Sequence, residues 1–217
     1  MSHQGTIAII GGTGKLGNAI AGRLAAAGAN VIIGSRSQES AQEAAAQLPG
    51  NVSGLDNAAA AAAADEIVIL VVPFAAHKAT LADIAPNLVG KILVDTTVPL
   101  VPPKVMRVQM PAAGCAAMAT RAAVAEGVTV VSAFHNVAAH RLAESGPIAC
   151  DVLVFGDDKE ARQKVVGLAQ AMGLKGLHAG ALVNSVAAEA LTSILIFINK
   201  TYGADGAGMQ ITGLPEA

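Results

Sequence analysis

The stretch Thr6-Ile7-Ala8-Ile9-Ile10-Gly11-Gly12-Thr13-Gly14-Lys15-Leu16-Gly17 decides the fold. A β-branched apolar run, Thr6–Ile10, stops at glycine; an alanine-rich helical run, Lys15–Ala27, follows and closes at Gly28, a candidate left-handed C-cap. Gly12, Gly14 and Gly17 form a G-x-G-x-x-G between a strand and a helix, the context this pattern requires. Gly12 makes a tight turn, Gly14 lets backbone approach a pyrophosphate, and Gly17 lets the helix sit close on the strand. The unpaired N–H groups of the helix start then face the anion.

Outward from this unit the alternation continues. Asn30–Gly34 is a strand and Ser37–Leu48 a helix stopped by Pro49-Gly50. Val52–Leu55 is a short strand, and Asn57 is expected to cap the alanine helix Ala58–Ala64. Glu66–Val72, helix Ala75–Ile84 and strand Lys91–Asp95 complete the first part. Uninterrupted apolar strands separated by helices predict an α/β fold, a Rossmann-type doubly wound parallel sheet covered on both faces. After Pro99 comes a proline-flanked linker, then helix Ala116–Glu126 and strand Thr129–Ala133. A smaller C-terminal αβ and helical unit has strand Val152–Phe155, helix Lys159–Met172, strand Lys175–His178 and a long helix from Val183 to Tyr202. The expected division is residues 1–140 for the dinucleotide and 141–217 for substrate and dimerisation. On the last helix Val183, Ala187, Leu191, Ile194 and Ile198 make one apolar stripe, expected to be core plus subunit interface of a homodimer.

Composition narrows the function classes. The 217 residues are 53% hydrophobic, 14% charged and 2% aromatic, and roughly a fifth are alanine, so elements pack closely rather than around large side chains. Net charge of −2 argues against a nucleic-acid partner. Cys115 and Cys150 lack ligand spacing and read as buried residues of a reducing compartment. Met1–Thr6 carries no basic leader region, and the apolar tail Ile194–Ile198 is shorter than the ~20 residues a bilayer needs. The expectation is a soluble cytoplasmic protein without a membrane partner.

The choice of dinucleotide falls at the end of the second strand. An NAD site usually has a carboxylate there for the ribose 2′-hydroxyl. Here the sequence is Gly34-Ser35-Arg36-Ser37, a guanidinium among hydroxyls, which suits the 2′-phosphate of NADP. Val72, Pro73 and Phe74 turn across the carboxyl edge of the sheet, so Val72 and Phe74 should lie beside the nicotinamide ribose while Pro73 stiffens the turn. Thr97, Val98 and Pro99 reach the same edge from the next strand. No general acid stands out: the single tyrosine, Tyr202, has Gly206 four positions on, so no Tyr-x-x-x-Lys pair exists. His135 and His140 do not share a helix face, which disfavours a metal pair; His135 reads as a polar pocket residue. No residue is assigned a catalytic role, and no metal is expected.

Ile10–Gly17, Ile33–Arg36, Val131–His135 (Val-Ser-Ala-Phe-His), Phe155–Asp158 (Phe-Gly-Asp-Asp) and Ala179–Ser185 (Ala-Gly-Ala-Leu-Val-Asn-Ser), with a glycine-rich ending, resemble the NADP oxidoreductases that use coenzyme F420, a deazaflavin. The resemblance spans nearly the whole chain. It implies reversible hydride transfer between NADPH and the deazaflavin in a homodimer. By it, Thr13, Gly14, Lys15 and Leu16 hold phosphates, and Ser35 and Arg36 hold the 2′-phosphate. Val72, Phe74, Val137 and Ala139 line the nicotinamide side, and Ala207 touches the deazaflavin. The chain departs from the family's archaeal members at Ser40, where they tend to carry a further basic residue beside the 2′-phosphate, and at Phe74, where they tend to carry Trp. Lys104, Arg107, Arg121 and Lys200 are scattered rather than clustered for an anionic tail. Two other readings stay open: an NADP-dependent imine or small-carbonyl reductase on the same scaffold, and a non-enzymatic NADP-binding sensor.

Overall fold

The computed structural model describes residues 5–215; Met1–Gln4, most of the segment read as lacking a leader, lie outside the described residues. The strands are β1 (Thr6–Ile10), β2 (Asn30–Ser35), β3 (Val52–Asp56), β4 (Ile67–Leu70), β5 (Ile92–Asp95), β6 (Thr129–Ser132), β7 (Asp151–Gly156) and β8 (Lys175–His178). They form one sheet in the order β3-β2-β1-β4-β5-β6-β7-β8. β1 to β6 run parallel, as the apolar strands predict, in the Rossmann order with its switch point between β1 and β4. β7 departs from the rule, pairing antiparallel to β6 through Val131↔Gly156 and Ser132↔Phe155. The C-terminal strands therefore extend the same sheet.

Because successive strand residues point to opposite faces, each strand feeds two cores. Ile7, Ile9, Ile67 and Ile69 pack on one side with Ile20 and Leu24 of α1 (Lys15–Ala26) and Val165 of α7 (Lys159–Ala171). Ala8, Ile10, Val68 and Leu70 pack on the other with Ala60 and Ala61 of α3 (Asn57–Ala63) and Leu81 of α4 (Phe74–Ile84). Small residues set the spacing. A Cβ on Gly34 would lie 3.2 Å from the Ala60 methyl, and one on Gly54 would lie 2.3 Å from the backbone of Ala41 in α2 (Gln38–Ala46). This close seating is the physical counterpart of the alanine-rich, aromatic-poor composition.

Several expectations change in detail. The cap of α3 is Asp56, whose carboxylate accepts the Ala59 N–H at 2.8 Å, and Asn57 is the first helical residue. Aspartate reaches the first-turn amides as well as asparagine does, and the chain enters the helix one residue earlier. β4 ends at Leu70, and α4 starts at Phe74, so Val71–Pro73 form the crossing segment. α5 (Ala116–Ala123) stops before Glu126, because Arg121 donates to the carbonyls of Val124, Ala125 and Val128 and clamps its end. A short helix, α6 (Ala139–Ala143), is present where no helix was expected.

The long helix α8 (Ser185–Tyr202) departs from expectation on the core side of its stripe. Ser185, Ala188, Glu189, Ser193 and Leu195 face inward, whereas Val183, Ala187 and Ile194 of the apolar stripe are exposed and Leu191 and Ile198 half-buried. The polar side turns inward because it finds partners there, among them the α5 amides of Ala116 and Ala117 for Glu189. With the preceding turn, Leu182–Tyr202 reaches 21 residues at mean hydropathy 1.6, long and apolar enough to cross a membrane by length and composition. The expectation that the apolar tail is too short thus holds for Ile194–Ile198 alone. Glu189 ties it to α5 by accepting the Ala116 and Ala117 amides.

α1 is likewise seated on bare backbone. A Cβ on Gly17 would lie 2.6 Å from the Gly11 carbonyl oxygen and 2.8 Å from the Gly12 Cα, both backbone atoms that no rotamer change can move. Gly17→Ala is expected to cost 1–3 kcal/mol or more through overpacking, read as a lower urea midpoint. An unchanged midpoint would show that α1 is free to shift.

Candidate active site

The parallel sheet delivers the loops after β1, β2, β4, β5 and β6 to one carboxyl edge, and backbone bonds stitch them in order. Gly11 and Gly12 donate to the Gly34 carbonyl at 3.0 and 3.1 Å, Val71 to Ile10 at 2.8 Å, Thr96 to Leu70 at 3.1 Å, and Ala133 to Asp95 at 3.1 Å. Gly11 has φ +80°, and a Cβ there would meet the Val71 carbonyl oxygen at 2.2 Å and Val72 at 2.9 Å. Val72 therefore lies against the glycine loop. Gly12 is also required by the fold, since a Cβ would lie 2.9 Å from Ile33 and from the Ile9 carbonyl.

Gly14 is different. It is the N-cap of α1 at φ −74°, exposed, and a Cβ would meet only the Gly11 carbonyl oxygen at 3.3 Å. The fold leaves space at Gly14 that a bound pyrophosphate would use. Thr13 and Lys15 beside it are exposed, Leu16 is half-buried, and no side chain caps the first-turn amides of α1. These amides and the empty space fit a dinucleotide phosphate.

Ser35 ends β2 half-buried, and Arg36 is exposed with no hydrogen bond or ion pair among the described residues. Ser37 accepts the Ser40 N–H at 3.3 Å and caps α2, so its hydroxyl oxygen is already engaged. Ser40 itself is exposed on the first turn. Pro73 is exposed as the N-cap of α4 and Phe74 is half-buried beside His77, the ring centroids 6.4 Å apart. Val137 is 7% exposed and belongs mainly to the core, while Ala139 opens α6 half-buried. Ala207 donates its N–H to Asn199 at 2.7 Å, and a Cβ on its neighbour Gly206 would touch Ala138 at 3.0 Å, so the C-terminal segment folds over the start of α6.

A cavity of about 330 Å³ lies between α6 and that segment, bordered by Arg23 and Arg141. Neither guanidinium is free. Arg23 donates to the carbonyls of Leu142, Glu144, Gly146 and Met172, and Arg141 pairs with Glu144 and Asp205.

Two buried polar clusters lie under the edge; the sequence pointed to Thr97 and His135 but not to the partners His77, Asp95, Thr120, Ser132, Ser185 and Glu189. Asp95 is 1% exposed; it accepts from the Thr97 N–H at 2.9 Å, from the Thr120 hydroxyl, and pairs with His77 Nε2 at 3.1 Å. Burial alone would raise its carboxyl, but His77, Thr120 and Thr97 together hold it below the ordinary carboxylate value. The only sequence signal was a carboxylate ending a continuous apolar strand. Thr97, expected at the substrate, has a buried hydroxyl without a partner among the described residues, which suits a ligand group. Val98 is half-buried and Pro99 buried beside it.

The second cluster holds His135. It follows Phe134, a non-glycine residue at φ +66°, and is 7% exposed, with Nε2 2.7 Å from the Ser132 hydroxyl. Burial pushes its imidazole down to about 4, against a smaller upward pull from Asp95. It is therefore neutral near pH 7. His140 is separate, exposed and paired with Asp205 at 2.8 Å, and no metal-ligating cluster occurs among the described residues. Cys115 and Cys150 are buried and unpaired with each other, as expected.

This carboxyl edge, with its open glycine turn and unpaired Arg36, defines a Rossmann-type dinucleotide-binding protein. The sequence profile for NADP oxidoreductase coenzyme F420-dependent matches residues 6–99. The F420-dependent NADP reductase of Methanothermobacter thermautotrophicus is 38% identical over 97% of this chain and 96% of its own length. That of Methanocaldococcus jannaschii is 38% identical over 96% and 98%. The chain belongs to the F420-dependent NADP reductase family. A crystal structure of a candidate F420-dependent NADP-reductase from Arthrobacter sp. FB24 superposes with TM-score 0.78 at 27% identity, covering 96% of this chain and all of that one. An imine reductase from Myxococcus stipitatus shares the fold alone, at 19% identity and TM-score 0.64 over 93% of this chain and 62% of its own.

The buried groups predict a specific acid response. Between about pH 6.5 and 4 the unfolded state protonates His135 while the folded state keeps it neutral, so stability falls as pH drops through that window. Below the ordinary carboxylate range the stabilisation from Asp95 is lost as well. Between pH 7.5 and 3, urea midpoints should fall more steeply in wild type than in His135→Ala through the first window, where the burial-raised Glu189 works in the opposite sense, and fall again in the second. An identical slope in the variant would contradict a neutral, buried His135.

Proposed function

We propose that this chain transfers a hydride between NADPH and the deazaflavin coenzyme F420, with the protein contributing placement rather than acid–base chemistry. The observation that carries this reading is the 38% identity, spread over 97% of the chain, to a reductase named for F420 and NADP. Bound NADPH supplies the hydride. Thr13 to Leu16 and the α1 amides hold its pyrophosphate, Ser35 and Arg36 hold the 2′-phosphate with Ser40 near by, and Val72, Pro73 and Phe74 seat the nicotinamide end. Val137 and Ala139 back that end. Thr97, Val98, Pro99, His135 and Ala207 face the deazaflavin. Holding two reactants in register contributes on the order of 7–11 kcal/mol without a proton donor. The neutral His135 supports this over an imine or small-carbonyl reductase, which needs a donor.

In the same proposal residues 1–140 bind the dinucleotide and residues 141–217 complete the deazaflavin side and the dimer, in the cytoplasm. The exposed apolar face of α8, with Ile194 46% and Phe197 51% exposed, supports a homodimer seam. Ile194→Asp should shift sedimenting dimer toward monomer; a wild-type monomer at every concentration would contradict the seam.

Mixing protein, NADPH and coenzyme F420 should bleach the deazaflavin absorbance. Arg36→Ala should weaken NADPH by roughly 10- to 100-fold while leaving NADH nearly unchanged, as expected for one lost charged hydrogen bond. Equal losses would show that Arg36 does not read the 2′-phosphate, and no bleaching would overturn the deazaflavin reading.

A further inference from the structure

A continuous chain of side chains runs from His135 into α8. His135 Nε2 lies 2.7 Å from the Ser132 hydroxyl, Ser132 lies 2.7 Å from the Ser185 hydroxyl, and Ser185 donates to Glu189 Oε1 at 2.9 Å. Glu189 is 1% exposed and also accepts the N–H groups of Ala116, at 2.6 Å on Oε2, and Ala117, at 3.1 Å on Oε1. All members of the chain are buried. Capping α5 accounts for a buried carboxylate, but it does not require two serine hydroxyls leading from it to a histidine.

Each hydroxyl has one proton, so the end of the chain fixes its direction. With Glu189 as carboxylate, Ser185 donates to it, Ser132 donates to Ser185, and His135 donates Nε2–H to Ser132. The ring's Nδ1 is then a lone-pair acceptor. With Glu189 protonated on Oε1, every bond reverses: Ser132 donates to Nε2, and the imidazole proton sits on Nδ1. The two states differ by one proton taken up at Nδ1 while each chain proton moves one place toward Glu189. No electron pair leaves and both His135 forms are neutral.

We propose that Glu189 is a positioning residue that sets, through Ser185 and Ser132, which ring nitrogen of His135 carries the proton. The ionised state of a carboxyl group two hydroxyls away thus decides whether His135 offers the deazaflavin an acceptor or a donor, a consequence that rests on the placement of His135 in the proposed function. Two other titratable groups act on this chain: Asp95 on β5, itself paired with His77 of α4, and Cys115 at the N-cap of α5. Burial raises the Glu189 carboxyl above its ordinary value, with Asp95 adding to that and the two amides and Ser185 opposing it, so the protonated state lies nearer neutrality.

The test is ¹⁵N-histidine NMR of the full chain at pH 8, with the His135 signals assigned by their loss in His135→Asn. Wild type should show the Nε2–H tautomer. Glu189→Gln, whose carbonyl takes the Ala116 amide while its NH₂ donates to Ser185 and leaves the Ala117 amide without its acceptor, should show Nδ1–H, the two nitrogen resonances exchanging character. Ser132→Ala keeps the cap of α5 and cuts the chain, so it should leave His135 as a mixture even if the Gln variant does not fold. An Nδ1–H ring in wild type, or the wild-type tautomer retained in Ser132→Ala, overturns the proposal. The readout needs no deazaflavin, so failure to bleach coenzyme F420 would strike the proposed function and leave this result standing.

Discussion

The structure depends on one backbone contact: the start of α1 lying directly on the turn after β1, with no Cβ between them. At Gly17 the nearest atoms would be 2.6 and 2.8 Å from an added Cβ, both in backbone. That contact aims the first-turn amides of α1 at the carboxyl edge and fixes where a phosphate can sit. Gly11 brings Val71 and Val72 against the same loop, and Gly12 admits Ile33 and the Ile9 carbonyl. Gly14 alone among these positions is kept open, so the fold and the ligand impose their glycine requirements at separate residues.

Around that seat the carboxyl edge is built from buried polar groups whose partners come from distant elements. Asp95 joins β5 to α4 and α5 through His77 and Thr120, and Glu189 joins α8 to α5. Each would be costly unpaired; each is satisfied by several donors. The consequence is a rigid floor beneath the loops that the proposed function uses. A reaction that relies on registering two rings needs such rigidity more than it needs a strong acid.

What could be read from the sequence was what is local. The glycine spacing, the apolar strands and the missing carboxylate after β2 gave the parallel sheet, the phosphate turn and the Arg36 reading, because each depends on a few neighbouring residues. What escaped was set by long-range partners. His77, Asp95 and Thr120 lie 18 to 43 positions apart, and Ser132 and Ser185 are 53 apart. Periodicity marked the apolar stripe of α8 as core plus subunit interface, yet partners for Ser185 and Glu189 turned the polar side into the core. No single-helix pattern contains that information. Asp56 for Asn57 as cap is a smaller error of the same origin, since adjacent residues of equal capping ability differ only in where the chain turns.

Direct ring-to-ring transfer is the central claim. NADPH deuterated at the transferred C4 position would be mixed with the protein and coenzyme F420, and the reduced deazaflavin analysed by mass spectrometry. The account predicts one deuterium per molecule on the deazaflavin ring and none released to water. Deuterium found in solvent, with an unlabelled reduced deazaflavin, would contradict it.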